Sequence, residues 1–599
     1  MPSEHFASAT SSPDVLSRVA QMTELSGLAK QLVRVAKLRD VYRRVQQCPD
    51  GFRLEPLLSE MRVELRVNIA ESARIPGTGP VVVVANHPFG LIEGAILTVL
   101  LTRVRQDVKV VTDFFLGDVP ELQRHCIFVD PFETDRSIES NRRALRECFI
   151  WLRRGGMLAI FPAGEVSHLK VPKAEIADPV WNDTAVRLTR RTGASVLPVF
   201  FCGRNSVGFQ ILGMFHPRLR TALLLQEFLQ QEGKTIEIRL GNEISNHCIA
   251  GIEDDRKATA YLRWRTYLLG HRSERKNSWT SAVRSRLALN TQQPLVPAVL
   301  PELLTQELTD LAPNRCLTES GDLAVYLLRA DEAPHLQQEL GRLRELTFRE
   351  AGEGTGRPLD LDRFDSYYWH LLLWNKSKQE LVGAYRVGST TEILPQNGVG
   401  GLYTSTLFRY AQHFFQKLGP ALELGRSFVR PEYQRQYTPL LLLWKAIARL
   451  VANRPETPVL FGAVSISNNY SKASREMIYH FFEARRKDEE LAGLIEARRP
   501  FRPTRLRRWD CSAMRYALHD LDELSQPVSD VECDGKGLPI LIRQYAKIGG
   551  KILGFNVDRK FSDVLDGLLV ADLRRTKFGL LERYMGREGL ATFREHHQL

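Results

Sequence analysis

The sequence predicts two α/β domains in succession, the first built on a mostly parallel sheet. Three observations predict it. Between about residues 50 and 275, short apolar runs alternate with helical patterns, as strands and helices do when laid down in turn. One run, Val81-Val82-Val83-Val84, is continuous rather than alternating, which suits a strand covered on both faces. After a polar, Pro-containing stretch at about 271–314 the alternation begins afresh near residue 322, and 599 residues are enough for a second core.

Composition narrows the class. With 43% hydrophobic and 25% charged residues the chain is globular in character. No apolar run approaches the roughly 20 residues of a spanning helix, and Met1-Pro2-Ser3-Glu4-His5 does not open a secretory signal. Eight scattered cysteines without a CxxC pair fit a reducing cytoplasm and argue against disulfides or a metal site. His596-His597 is expected in a disordered tail. The net charge of +12 favours an anionic membrane or an acidic protein partner. No nucleic-acid motif accompanies it, so no nucleic acid is expected.

The elements follow in order. Residues 1–50 are a Ser/Ala/Thr-rich disordered start and a basic amphipathic helix. Leu25, Leu28, Leu32 and Val35 form its apolar stripe, with Lys30, Arg34, Lys37, Arg39, Arg43 and Arg44 around it. Such a helix lies in a membrane interface or packs on the next domain; the pattern fits both. In the first domain, 51–275, strands are predicted at 81–84, 109–112, 126–129, 157–161 and 196–201. Helices are predicted from residue 95, at 137–152 and at 181–192. A linker is placed at 276–315. The second domain, 316–599, has a strand at 322–330 and a helix at 339–350. A hairpin of 368–373 with 381–387 follows, then a helix at 438–451 and a strand at 459–465. The basic segment from Arg499 to Trp509 reads as a membrane-interface or connector stretch, kept within the second domain.

The valine strand ends on Asn86-His87-Pro88-Phe89-Gly90, and Glu93 stands six residues after His87. An imidazole that takes an alcohol proton, beside a carboxylate that fixes its tautomer, is what acyl transfer to a hydroxyl requires. This block resembles the first motif of the lysophosphatidic-acid-type acyltransferases. Those carry Asn-His, four residues, then Asp; here the acid is Glu and one position later, as in the haemolysin-like subfamily. Phe161-Pro162-Ala163-Gly164-Glu165 resembles the third motif of that family, with its Glu after the Gly. The resemblance implies a glycerolipid-acyltransferase-like parallel sheet, with His87 and Glu93 catalytic. It makes Asn86, Pro88, Phe89, Gly90, Phe161, Pro162, Gly164 and Glu165 substrate-binding. Val196-Leu197-Pro198-Val199 looks like the fourth motif. In the second-motif region the family's phosphate-holding Arg is replaced by Asp130, which would welcome a cation.

The second half resembles a GNAT-type N-acyltransferase, of the branch with acyl-homoserine-lactone synthases and ornithine N-acyltransferases. Its motifs fall on Arg344, Asp362 with Asp365, Arg386, and Glu423 with Arg426. The resemblance implies a mixed sheet, with Glu423 as base, Asp362 and Asp365 holding an ammonium, and Arg386 or Arg426 a carboxylate. Where acetyl-CoA users wrap a diphosphate in glycines, this chain has Gln434-Arg435-Gln436-Tyr437-Thr438-Pro439. Tyr437 and Pro439 would crowd a diphosphate, so the acidic acyl carrier protein is the expected donor.

Together the halves resemble the bifunctional ornithine-lipid synthases. That implies N-acylation of ornithine with a 3-hydroxyacyl chain, then O-acylation of the hydroxyl on the lyso-aminolipid. No metal or cofactor is implied beyond acyl thioesters. The place expected is cytoplasmic, peripheral on the inner face of the plasma membrane at its anionic surface. The alternatives are another amino acid such as glycine, lysophospholipid remodelling by the first domain, or a membrane-lytic protein.

Overall fold

The structure, a computed structural model, describes residues 28–47, 54–113, 122–130, 135–170, 175–215, 217–272, 292–485, 487–503 and 511–599. Readings that fall on 1–27, Pro131, Phe132, 273–291 and 504–510 lie outside the described residues. The chain divides into two compact units, Met1–Arg272 with Arg507–Leu518, and Ser273–Leu506 with His519–Leu599.

The first unit is built on seven strands. In spatial order they are β1 (Glu64–Val67), β9 (Thr235–Leu240), β8 (Ser195–Cys202), β2 (Val81–Ala85), β5 (Met157–Ile160), β3 (Val108–Asp113) and β4 (Cys126–Val129). Every pair is parallel except β8 with β9. The valine run is the central strand, all five of its residues buried between β8 and β5. Each buried valine contributes on the order of 1.5–3 kcal/mol, so the strand fixes where its C-terminal tip must be. The helix Ile92–Thr102 follows that tip, and most of its side chains enter the same core. β9 alternates cleanly, with Ile236, Ile238 and Leu240 inward. A short hairpin, β6 (His168–Lys170) with β7 (Glu175–Ala177), stands beyond β5.

The basic helix is present over Leu28–Gln46. Its second half packs on the unit: Val41 and Val45 join the core, Lys37 pairs with Glu232 at 2.7 Å, and Arg44 with Glu60 at 2.5 Å. That stretch therefore packs on the first unit.

The second unit holds an eight-stranded sheet. Its order is β10 (Cys316–Ser320), β11 (Leu323–Leu328), β12 (Trp369–Asn375), β13 (Glu380–Ser389), β15 (Ala421–Val429), β16 (Val459–Ile466), β19 (Val564–Asp572) and β18 (Lys551–Asp558). β14 (Phe408–Tyr410) and β17 (Ile495–Ala497) form a separate pair. Only β15 and β16 run parallel; all other neighbours in the large sheet are antiparallel. Parallel pairing stops at Glu423 opposite Phe461, although β15 continues six residues, to Val429, and β16 five, to Ile466. The two strands part there and open the sheet.

Three expectations are corrected. The supposed linker is structured from residue 292 onwards: Gln293 and Val296 donate backbone hydrogen bonds to Gly356 and Pro358. Leu304, on the helix Pro301–Asp310, sits in the core with Leu336 and Leu340. Second, Arg507–Leu518 groups with the first unit, because the helix Cys511–Ala517 buries Ala513 and Met514 and packs on the helix Asp255–Leu268. Third, His596 and His597 close the helix Phe578–His597, and His597 Nε2 bonds the Pro455 carbonyl at 2.7 Å.

Candidate active sites

In the first unit, parallel strands put the C-terminal ends of β2, β5, β3 and β4 on one edge, where open α/β sheets bind ligands. His87 stands at the end of β2, and its side chain is 14% exposed. Its Nδ1 lies 3.4 Å from Glu93 Oε1, an ion-pair distance longer than a made hydrogen bond, and Glu93 is fully buried. The same Oε1 accepts the backbone N–H groups of Phe89 (2.6 Å) and Gly90 (3.0 Å). Gly90 has φ +107°, and a Cβ there would stand 2.6 Å from Leu224 Cδ2. Only glycine lets the chain turn back on the acid.

The pair is electrostatically matched. Burial alone would lower the imidazole pKa, but the Glu93 carboxylate, with Asp178 and Asp113 further off, outweighs it and raises the value above 6.5. Burial would raise Glu93, yet His87 and the two N–H donors hold it below its ordinary value. With Nδ1 facing the acid, Nε2 is the nitrogen available for an alcohol proton. Phe161 packs its ring on the imidazole, centroids 4.4 Å apart.

Asp178 is the residue that sequence reasoning missed. Its Oδ1 accepts the His87 backbone N–H (3.2 Å) and the Ser167 hydroxyl (2.5 Å), and its Oδ2 accepts the Trp181 indole (2.9 Å). Ser167 in turn donates its N–H to the His87 carbonyl at 2.8 Å. One buried carboxylate thus ties the strand tip to the 161–167 turn. No spacing rule in the sequence connects positions 87 and 178.

Asn86 is corrected. Its amide donates to the Phe201 carbonyl (3.0 Å) and accepts the Phe201 N–H (2.7 Å), so, 4% exposed, it clamps β2 to β8 instead of facing substrate. Pro88 and Phe89 are buried; the Phe89 ring packs against Gly203, and its carbonyl accepts the Asn205 amide. Pro162 is buried, and Gly164, with φ +65°, makes the turn that leaves Glu165 exposed. Asp130 follows β4, its backbone clipped at both N–H and C=O by Asn141.

In the second unit the expected residues do converge, but mostly on one another. Arg344, from the helix Pro334–Glu350, grips Asp365 with both Nη atoms (3.1 and 2.8 Å). Arg386, on β13, reaches Asp362 at 2.7 Å and Asp365 at 3.1 Å. Arg426 lies 3.4 Å from Asp360 and 3.6 Å from Asp362. Three guanidiniums and three carboxylates balance. Asp365 is held far below the ordinary carboxylate range by Arg344 and Arg386, against the burial that would raise it. This corrects its expected role: its oxygens are occupied and cannot hold a substrate ammonium. Arg344, 1% exposed, is likewise structural rather than substrate-binding.

Glu423 sits where β15 and β16 part, 2% exposed. It accepts the Thr404 N–H (2.7 Å), the Tyr403 N–H (3.1 Å) and the Tyr368 hydroxyl. A carboxylate offers about four lone-pair positions, so one is left to take a proton. Through these bonds Glu423 also holds Tyr403, over whose ring Arg386 and Arg426 both stack at 5.0 Å. Tyr437 and Pro439 stand at the start of the helix Thr438–Asn453, the tyrosine 56% exposed.

Residues 343–444 match the family described as Acetyltransferase (GNAT) domain. A glycine Nα-acyltransferase of Bacteroides thetaiotaomicron is 30% identical over 293 residues, 46% of this chain and 85% of that protein. The chain belongs to the GNAT-type Nα-acyltransferase family. As an acyltransferase of this kind it also resembles a glycine Nα-acyltransferase of Phocaeicola vulgatus, 27% identical over 46% of this chain and 88% of the relative. An L-ornithine Nα-acyltransferase of Agrobacterium fabrum is 26% identical over 39% and 74%. A lysophosphatidic-acid acyltransferase from Thermotoga maritima overlaps 41% of this chain and 82% of its own, at 16% identity and a TM-score of 0.23. An overlap that low carries no conclusion.

Proposed function

We propose that the chain makes an amino-acid lipid in two steps, N-acylating ornithine in the second unit and O-acylating the product in the first. In the first step the α-amine attacks the thioester carbonyl of a 3-hydroxyacyl chain. The C–N bond forms, the C–S bond breaks, and the amine proton goes to the remaining lone pair of Glu423 and from there to the departing thiolate, which leaves as the thiol. In the second step His87 Nε2 takes the proton of the new hydroxyl as it attacks a second thioester; the C–O bond forms, the C–S bond breaks, Glu93 stabilises the imidazolium, and the imidazolium returns its proton to the departing thiolate. One chain carrying both sites raises the effective concentration of the intermediate.

The observation that carries this reading is the buried His87–Glu93 pair on a chain that also belongs to the Nα-acyltransferases. Acyl carrier protein as donor is supported by Tyr437 and Pro439 where a diphosphate-binding glycine turn would be. An anionic membrane face is supported by the charge of +12 and by the lipid product. Among the described residues no helix is long and apolar enough to cross a bilayer. Glycine as acceptor is the second reading, favoured by the two more similar relatives. Mass spectrometry of lipids from an aminolipid-free host expressing the chain tests both. A phosphorus-free N-acyl amino-acid lipid is expected; an ornithine head group keeps a free amine and stains with ninhydrin, a glycine head group does not, and the head-group mass separates them; no new N-acyl amino-acid lipid would sink the proposal.

The pH profile tests the first site. Because the neutral imidazole is the base, O-acylation falls as pH drops through the raised His87 value, with a midpoint above 6.5. Glu93→Gln removes the largest raising influence and leaves burial, which lowers, so the acid limb should move to lower pH. An unmoved limb would show that Glu93 does not govern His87.

A further inference from the structure

One helix of the first unit turns outward a face that nothing else in the described chain answers. The helix Asp135–Arg153 joins β4 to β5 and packs Ala144, Cys148 and Leu152 towards the sheet. Next to that buried stripe runs a second apolar ridge, Ile138, Leu145 and Phe149, at the i, i+7, i+11 spacing of one helical line. Ile138 is 51% and Leu145 42% exposed, and Phe149 is half-buried. Arg142, Arg143 and Arg146 stand beside this ridge, all exposed, with Ile150 (40% exposed) among them and Arg153 and Arg154 beyond. Among the described residues none of these arginine side chains has an ion-pair or hydrogen-bond partner. The acids of the helix do not offset them. Glu147 is held by Lys109 at 2.5 Å, which leaves Glu139.

The start of the helix is anchored at the edge that carries His87. Asn141 clips the backbone of Asp130, just past β4, at both N–H and C=O (2.8 Å each). Val129 pairs in register with Asp113 at the end of β3, whose carboxylate is among the charges acting on His87. From Ile138 to Arg146 is about 12 Å of helix, so ridge and arginines begin at the catalytic edge. Two kinds of partner carry the opposite charge. A bilayer takes an interfacial helix by its apolar face, sunk below the headgroups, and here that face is occupied by β4 and β5. An acidic protein asks for something else: separate cations, well placed, with small apolar contacts between them. The alternation of arginine with Ile138, Leu145 and Ile150 is of that kind.

We propose that the outward face of the helix Asp135–Arg153, centred on Arg142, Leu145 and Arg146, docks the acidic carrier protein that brings the acyl thioester for O-acylation. This rests on the reading of the first unit as the O-acylating one. The test supplies the full chain with the singly acylated lipid and with acyl carrier protein charged with a fatty acyl group, acyl-CoA being the alternative donor. Arg142→Glu and Arg146→Glu are each expected to raise KM for the charged carrier about tenfold or more. Turnover at saturating carrier, and N-acylation by the same variants, should not change. An unmoved KM in both variants overturns the docking face, as does a loss confined to kcat. Weakened sedimentation with phosphatidylglycerol vesicles, the carrier KM being unmoved, gives the face to the membrane and overturns it as well. The unaltered chain decides independently of any folding defect: its kcat/KM with the carrier should exceed that with acyl-CoA and fall steeply with salt. Equal use of acyl-CoA, or indifference to salt, overturns the proposal. O-acylation from neither donor overturns the reading of the first unit itself.

Discussion

A chain carrying His87→Ala is expected to accumulate the singly acylated lipid and to form the doubly acylated one about 10²–10⁴ times more slowly. The imidazole is the general base of the proposed second step, and no other group at the end of β2 duplicates it. Glu93 is fully buried and already accepts two backbone N–H groups, so it cannot reach an alcohol in its place. The substitution removes a side chain that packs on Phe161 but leaves intact the backbone bonds from His87 to Asp178 and Ser167. The fold should therefore survive, and N-acylation with it. Lipid profiling of the expressing host reads both products in one spectrum. Unreduced doubly acylated lipid would remove His87 from the mechanism.

Asp365→Ala should do something different, abolishing both products together. Its carboxylate receives Arg344 through two hydrogen bonds, Arg386 through a third, and the Asp362 N–H through a fourth at 2.7 Å. Each arginine side chain is 1% exposed. Removing the shared acid leaves two buried guanidiniums under-compensated, and breaking a buried pair in this way destabilises by about 3–5 kcal/mol. The second unit should melt well below its normal temperature, measured by calorimetry as a transition distinct from the first unit. Since the amine must be acylated before there is a hydroxyl to acylate, both lipids disappear. A melting profile and lipid pattern matching the unaltered chain would show that the network is dispensable.

The contrast between Asp365 and Asp566 shows how far the sequence could be read. Asp365 was found by motif and given a role at the substrate; its neighbours in space make it part of the scaffold. Asp566 belonged to no motif, and only the pairing of β19 with β16, about a hundred residues away in sequence, buries it opposite Ser465. Asn86 and Asp178 show the same exchange in the first unit. The motif residue clamps two strands, while an unremarked aspartate holds the catalytic turn. Charged residues in a list do not reveal whether they will neutralise one another or a ligand, because that depends on contacts between segments far apart.

Local chemistry alone determined the valine strand, the histidine at its tip, the acid six residues on, and part of the run of strands and helices in each half. Each depends on side-chain period or on backbone freedom within a few residues. Tertiary structure decided which carboxylates are already paired, and where the C-terminal strands complete the second sheet. Charge balance in a buried site is a sum over many segments, and only the folded chain performs that sum.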